Sequence, residues 1–361
     1  MLKPRNTISS LPAYHPPLAG RRGLRLDFNE NTVGCSPNVM QRLQQLTVED
    51  LAAYPEREPL EKLVADFLGV KPSELLLTNG VDEAIHLLCQ TYLEAGDEAL
   101  IVVPTYSMYR IYIMASGGKL VSIPAEKGFQ FPTETVLKRM SPNIRFIVVA
   151  NPNNPTGTVV PKGDLLRIAQ AAPEAALLID EAYFEFYGDT ALPNHRDSPN
   201  LFVARTFSKA YGLAGLRVGV LVGNSNQMEA IHRVCSPYNV NAVALACLPQ
   251  AIADQAYIQS YVAQVLDSRS RLEEALRTHG IESWPSQANF ILLRAGATKD
   301  AAAAFAEKMR QRGILVRDRS NDYGCEGCIR ITLGTAEHTD RLLKALVENV
   351  GELTSSLGVP R

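Results

Sequence analysis

The sequence predicts an α/β fold, with a large domain built on a mostly parallel sheet flanked by helices and a smaller α+β domain beside it. Three observations predict it. From about residue 75 to 225, short β-rich apolar runs alternate with turn residues and stretches of helical spacing. Past residue 255 this order gives way to one long charged helical stretch and then to a second, shorter set of strands and helices. Finally, 361 residues exceed one ordinary core.

Taken in order, residues 1–30 read as an N-terminal arm, 31–250 as the large domain and 251–361 as the small domain, with the arm packing near it. The arm mixes Lys3, Arg5, Arg21, Arg22 and Arg25 with prolines and holds no continuous apolar block, so export is not expected. Strands are predicted at Leu75–Thr78, Ala99–Val103, Lys119–Ile123, Arg145–Ala150, Ala175–Ile179, Leu201–Arg205 and Val218–Val222. Between them, Ile85, Leu88 and Tyr92 share a helical face after Gly80, as do Leu165, Ile168 and Ala172 after Asp164. A helix from Gln255 to His279 links the domains. Beyond it come strands Phe290–Leu293, Ile314–Val316 and Ile329–Leu333, with helices around Asp300–Gln311 and His338–Val350.

Composition narrows the function. Lys and Arg total 36 against 38 for Asp and Glu, and a net charge of -2 provides no general field for nucleic acid or an acidic membrane. Apolar runs such as Leu100–Val103 and Ile147–Ala150 are strand-sized, and every apolar run falls far short of the roughly 20 residues of a membrane helix. A soluble, cytoplasmic protein with small-molecule partners is expected. The six cysteines read as reduced thiols. Cys325 and Cys328 form a C-x-x-C with no second pair or nearby histidine and are taken as loop residues, and the scattered histidines lack metal-ligand spacing. There is no G-x-x-x-x-G-K-[ST] and no G-x-G-x-x-G after a strand.

Ligands of open α/β sheets bind beyond the carboxyl ends of the strands. Here those ends read Thr78-Asn79-Gly80-Val81-Asp82-Glu83, Pro104-Thr105-Tyr106, Asn151-Pro152-Asn153-Asn154-Pro155-Thr156-Gly157, Asp180-Glu181-Ala182-Tyr183 and Thr206-Phe207-Ser208-Lys209, with Arg217 eight residues on. Singly, each has a plain reading: a helix start at Gly80 and Asp82, a cap at Asp180, a turn at Asn151–Gly157, a solvated lysine at 209. Together, at one edge, they match the needs of pyridoxal 5′-phosphate (PLP). That cofactor requires a lysine amine for covalent attachment and a carboxylate, here Asp180, to keep its pyridine nitrogen protonated. Its phosphate requires N–H groups at a helix start (Gly80, Val81, Asp82), a hydroxyl (Ser208) and a cation (Arg217). Asn154 and Tyr183 suit its phenolic oxygen, and Tyr106 can lie against its ring.

The runs Asn151–Gly157, Asp180–Tyr183 and Thr206–Arg217 (TFSKAYGLAGLR) resemble the fold-type I, class I/II PLP-dependent aminotransferases, over nearly the whole chain. Within that group the match is most similar to the histidinol-phosphate aminotransferases, on Asn29-Glu30-Asn31 with Gly34 and Ser36-Pro37, Tyr54-Pro55, Thr78-Asn79-Gly80, Gly313–Arg317 and Arg330–Thr335. The resemblance implies Lys209 as the cofactor lysine and the cofactor contacts just named. It further implies that Tyr54 reaches the phosphate of the other subunit in a homodimer with shared active sites. Arg317 and Arg330 would hold the substrate phosphate or carboxylate, where planar forks fit better than lysine. Asn29 joins the substrate site, and Tyr14 belongs to an arm that closes over it. Thr32-Val33 stand where a proline and an aromatic are usual, and Val81 where serine is frequent; Val81 would act through its backbone.

The implied reaction is transfer of an amino group from histidinol phosphate to 2-oxoglutarate, giving imidazole acetol phosphate and glutamate, on the route to histidine. Aromatic amino acid aminotransferases and a threonine-phosphate decarboxylase share the pattern and stand as alternatives. A regulatory PLP-binding module is the reading from another class, but Gly80 arrives too early to leave room for a DNA-binding head.

Overall fold

In the computed structural model, which describes residues 2–9, 11, 13 and 15–348, seven strands form the central sheet. They are β2 (Leu75–Thr78), β3 (Glu98–Val103), β4 (Lys119–Pro124), β5 (Ile144–Ala150), β6 (Ala176–Asp180), β7 (Leu201–Thr206) and β8 (Gly219–Val222). β1 (Leu24–Arg25) lies elsewhere. The sheet order is β2-β8-β7-β6-β5-β3-β4, parallel throughout except for β8, which runs antiparallel to both neighbours.

The strands read as continuous apolar runs because both faces are covered, as a largely parallel sheet requires. Successive side chains point to opposite faces. Leu75, Leu77, Ile147, Val149, Leu177, Ile179 and Val203 join one buried cluster, and Leu76, Phe146, Val148, Leu178, Phe202 and Ala204 join the other. Each of the valine, leucine, isoleucine and phenylalanine side chains among them contributes about 1.5–3 kcal/mol by leaving water. The helix Val81–Tyr92 covers the second face through Ile85 and Leu88.

Helix Gln255–Thr278 runs from helix Ala242–Ala253 to the four-stranded antiparallel sheet β12-β13-β10-β9. Its strands are β9 (Ser283–Trp284), β10 (Phe290–Arg294), β12 (Arg317–Asp318) and β13 (Cys328–Thr332), and helices Lys299–Gln311 and Ala336–Val347 complete the unit. The single strand expected over 314–316 is two. β11 (Ile314–Leu315) pairs in parallel with β1, and after Val316 the chain changes sheets so that β12 pairs with β13. An apolar run shows that a segment is buried but not which sheet claims each half. Cys328 likewise opens β13 rather than lying in a loop, and both Cys325 and Cys328 are buried under Trp284 and Phe129. Among the described residues no helix is long and apolar enough to cross a membrane.

Candidate active site

The antiparallel strand explains one corner of the site. β8 begins at the edge where its neighbours end, with Gly219 opposite both Thr78 and Thr206. Arg217, two residues earlier, is thereby placed between the start of helix Val81–Tyr92 and Ser208. Its φ of 57° lies in the left-handed region, which costs a non-glycine residue about 1–3 kcal/mol and persists only where contacts hold it. Here its guanidinium donates to Asp82 at 3.1 Å and to the Ala214 carbonyl at 3.4 Å, and approaches Ser208 Oγ at 3.5 Å. Gly80, at φ 76°, makes room for it: a Cβ there would lie 2.4 Å from Arg217 Nη2. No side chain caps this helix N-terminus, so its positive end faces the cleft beside one arginine, a ready place for a phosphate. Tyr106 lines the same corner, its hydroxyl donating to Asp82 at 3.0 Å.

At the floor, Asp180 ends β6. It accepts from the Tyr109 hydroxyl at 2.6 Å and from the Ala182 N–H at 3.0 Å. Burial dominates all the same and pushes its carboxyl up to about 6. A protonated ring nitrogen in the cleft would supply the cation this carboxylate lacks. Lys209 projects from just beyond β7. Its ammonium donates to the Phe28 carbonyl at 3.0 Å and lies 5.9 Å from the centre of the Tyr183 ring. Burial, and then the charge of Arg330, lowers Lys209 to about 8, so a useful fraction is free amine near neutrality.

The opposite end is built by segments far apart in sequence. Arg330, buried on β13, donates to Asn154 Oδ1 at 2.5 Å and to the Asp27 carbonyl at 2.7 Å. This holds the Asn154 amide with its N–H2 as the end left to donate. Asn29, at φ 56°, exchanges bonds with Thr332 at 3.0 and 3.1 Å and donates to the Tyr183 hydroxyl at 2.9 Å, which leaves the phenol proton for the cleft. Phe28 has Arg21 at 4.4 Å and Arg317 at 5.1 Å from its ring centre. Glu30 faces the same space. Burial opposes its charge, but hydrogen bonds from Arg21 hold it below the usual carboxylate range.

A cleft of about 500 Å³ thus gathers Val81, Asp82, Tyr106, Asn154, Asp180, Tyr183, Ser208, Lys209, Arg217, Asn29, Arg317 and Arg330. Gly80 stands behind Arg217. Tyr54 is not brought in: it is 76% exposed and stacks on Tyr238 at 4.2 Å. Tyr14 lies outside the described residues. Sequence reasoning missed Phe28, Tyr109, Thr206 and Arg319, which also line the cleft, and did not enlist Glu30. Tyr109 had a signal, since it stands one helical turn after Tyr106 at the start of helix Ser107–Ser116. Among the described residues no cluster of three or more histidine, cysteine or acidic side chains forms a metal site.

The donor set fits PLP on this chain's own features: a buried carboxylate lacking a cation, an amine of lowered pKa, and an uncapped helix start beside Arg217. Residues 21–349 match the family described as aminotransferase class I and II. A histidinol-phosphate aminotransferase from Rhodopseudomonas palustris is 34% identical over 358 residues, covering 96% of this chain and 97% of its own. One from Dehalococcoides mccartyi is 35% identical over 332 residues, covering 91% and 90%. The crystal structure of histidinol-phosphate aminotransferase from Sinorhizobium meliloti in complex with pyridoxal-5′-phosphate superposes with a TM-score of 0.88 at 27% identity, covering 98% and 99%.

Proposed function

We propose, for a chain that belongs to the class I and II aminotransferases, that it transfers the amino group of L-histidinol phosphate to 2-oxoglutarate with PLP as cofactor. The products are imidazole acetol phosphate and glutamate, a step on the route to histidine. The observation that carries this reading is one cleft in which Lys209 lies between a buried carboxylate at one end and a set of arginines at the other.

The cofactor, when bound, supplies an aldehyde for covalent capture of amines and a ring that accepts electrons. Asp180 holds the ring nitrogen protonated; Tyr109 and the Ala182 N–H keep the carboxylate aimed. Backbone N–H groups at Val81 and Asp82, with Ser208 and Arg217, would hold the phosphate, and Asn154 and Tyr183 would donate to the phenolic oxygen; the Gly80 N–H, expected to join them, is taken by the Thr78 carbonyl at 2.9 Å, so Gly80 serves by leaving room for Arg217. Tyr106 would lie against the ring. Lys209 would anchor the cofactor through Nζ, and the same Nζ, as free amine, would move the proton from the donor α-carbon to the cofactor. Its low pKa suits it to give and take protons near neutral pH. Arg317 and Arg330 hold the donor phosphate, or the glutamate carboxylate in the return half, with Asn29 beside them. Tyr14 belongs to an arm that closes over the substrate. The active form is a homodimer in which Tyr54, exposed on its own protomer, reaches the phosphate bound by its partner.

The test is the visible absorption spectrum of the purified holoenzyme before and after L-histidinol phosphate is added without a keto acid. Conversion to the pyridoxamine form at low donor concentration, and parallel double-reciprocal lines in the full reaction, are the expected result. A band that persists until phenylalanine is added transfers the assignment to an aromatic donor. Release of carbon dioxide from threonine phosphate with no keto acid required replaces transamination with decarboxylation.

A further inference from the structure

The four-stranded sheet delivers three arginines to one end of the cleft, and the function proposed above employs two of them. The third, Arg319, follows β12 directly. Its N–H donates to the Cys328 carbonyl at 2.9 Å, extending the β12–β13 pairing by one step and fixing where its side chain begins. That side chain lines the cleft and is only 11% exposed. Its guanidinium is ion-paired with Asp322 across a turn closed by the Asp322 N–H donating to the Arg319 carbonyl at 2.9 Å. Its Nε is buried and has no hydrogen-bond partner among the described residues. Arg319 is also coupled to its neighbours: after burial, its charge is the first to disfavour the cation at Arg330, ahead of Arg317. Asp322 feels all three arginines, although burial still pushes its carboxyl above the ordinary range.

We propose that Arg319, with its charge moderated by Asp322, is a third anion-binding arginine that makes this end of the cleft prefer a phosphate monoester dianion to a carboxylate. The proposal deepens the function proposed above and rests on it for the identity of the donor. A carboxylate presents two oxygens and one charge, which two guanidinium forks already satisfy. A phosphate monoester presents three oxygens and, above its second pKa of roughly 6, about twice the charge, so a third guanidinium adds most to it. Asp322 is a positioning residue that acts through Arg319. It aims the fork and offsets part of its charge.

This arrangement makes the two halves of one ion pair act with opposite signs. Removing the guanidinium weakens phosphate binding, and removing the carboxylate's charge strengthens it. A pair that only stiffened the loop would weaken binding in both cases. The experiment uses holoenzyme carrying Arg319→Ala, Arg319→Lys or Asp322→Asn, with unfolding midpoints recorded to confirm folding. Three constants are measured: the Michaelis constant for L-histidinol phosphate, the Michaelis constant for the keto acid 2-oxoglutarate, and the inhibition constant for inorganic phosphate against the amino donor. Arg319→Ala should raise the first and third about tenfold, as loss of one charge-assisted hydrogen bond implies, and the keto acid constant less than about threefold. Arg319→Lys should recover part of the loss, and Asp322→Asn should lower the phosphate constant by about threefold. Weaker phosphate inhibition in both Arg319→Ala and Asp322→Asn overturns the proposal. So does an equal effect of Arg319→Ala on phosphate and 2-oxoglutarate, or a wild type that inorganic phosphate does not inhibit. Should phenylalanine prove to be the donor, the function proposed above fails alone, because phosphate inhibition still decides Arg319.

Discussion

The two ends of the cleft are assembled in opposite ways. At the Lys209 end, side chains come from the ends of neighbouring strands in one sheet and the helices that start there, and two pairs stay on that edge, Arg217 with Asp82 and Tyr109 with Asp180, while Lys209 reaches out to the Phe28 carbonyl. At the arginine end, Asp27 meets Arg330 and Asn29 meets Thr332 across 303 residues of sequence, and Asn154 reaches Arg330 from the large sheet. A sheet edge positions groups through backbone pairing, which tolerates changes of side chain. A meeting of distant segments depends on the side chains themselves. On the roles proposed above, most of the cofactor chemistry would sit on the rigid edge and the choice of substrate where segments meet, with Asn154 and Tyr183 joining the two.

That contrast can be broken most sharply at Lys209. Lys209→Ala should lower turnover by about 10⁴-fold or more in single-turnover spectra, because anchor and proton carrier are lost together. Asp180→Asn should follow with a loss of roughly 10²–10³-fold in kcat, the scale of one preorganised electrostatic contact. It also carries a signed pH test. The folded carboxyl titrates at about 6 against an unfolded value of 3.8, so its contribution to stability is fully present below 3.8 and is lost as pH rises through 6. The apoprotein's unfolding midpoint should fall across that range, and Asp180→Asn should abolish this part of the fall.

At the other end, Arg330→Ala should raise KM for both donor and keto acid by about 10²-fold, and lysine should not restore it, because a single ammonium cannot hold Asn154, Asp27 and an anion at once. An Arg330→Ala enzyme with altered kcat and unaltered KM would erase the distinction between the two ends. Gly80→Ala should weaken PLP binding by about tenfold in equilibrium titrations, since the φ of 76° and the Arg217 side chain both oppose a Cβ, while KM at saturating cofactor stays within about twofold. The smallest effect is predicted for Tyr109→Phe, about fivefold in kcat from one hydrogen bond, with the Asp180 titration moved further up as burial loses an opponent.

Legibility in the sequence follows the same division. Lys209, Asp180 and Asn154 could be read because each directly follows a recognisable strand, and strand ends in such sheets share an edge. Tyr109 was within reach one helical turn past Tyr106. Arg319 was not, because an arginine followed by serine and asparagine looks like a solvated turn until its ion pair with Asp322 places it in the cleft. The reversal of β8 was equally hidden, since a run of apolar residues carries no direction, yet that reversal is what sets Arg217 over the start of the Val81–Tyr92 helix.

By itself, then, the sequence determined the α/β class, the seven central strands to within about a residue and the residue types that gather at the sheet edge, because these follow from local periodicity and turn residues, whereas the two-residue strands Leu24–Arg25, Ser283–Trp284 and Arg317–Asp318 were too short to show a period. Tertiary structure alone decided that the chain changes sheets at Val316, that β8 runs backwards, and that Phe28, Tyr109, Glu30 and Arg319 face the cleft. Those outcomes depend on which distant surface buries a segment or neutralises a charge, and hydrophobic burial and charge pairing depend on distance in space rather than in sequence.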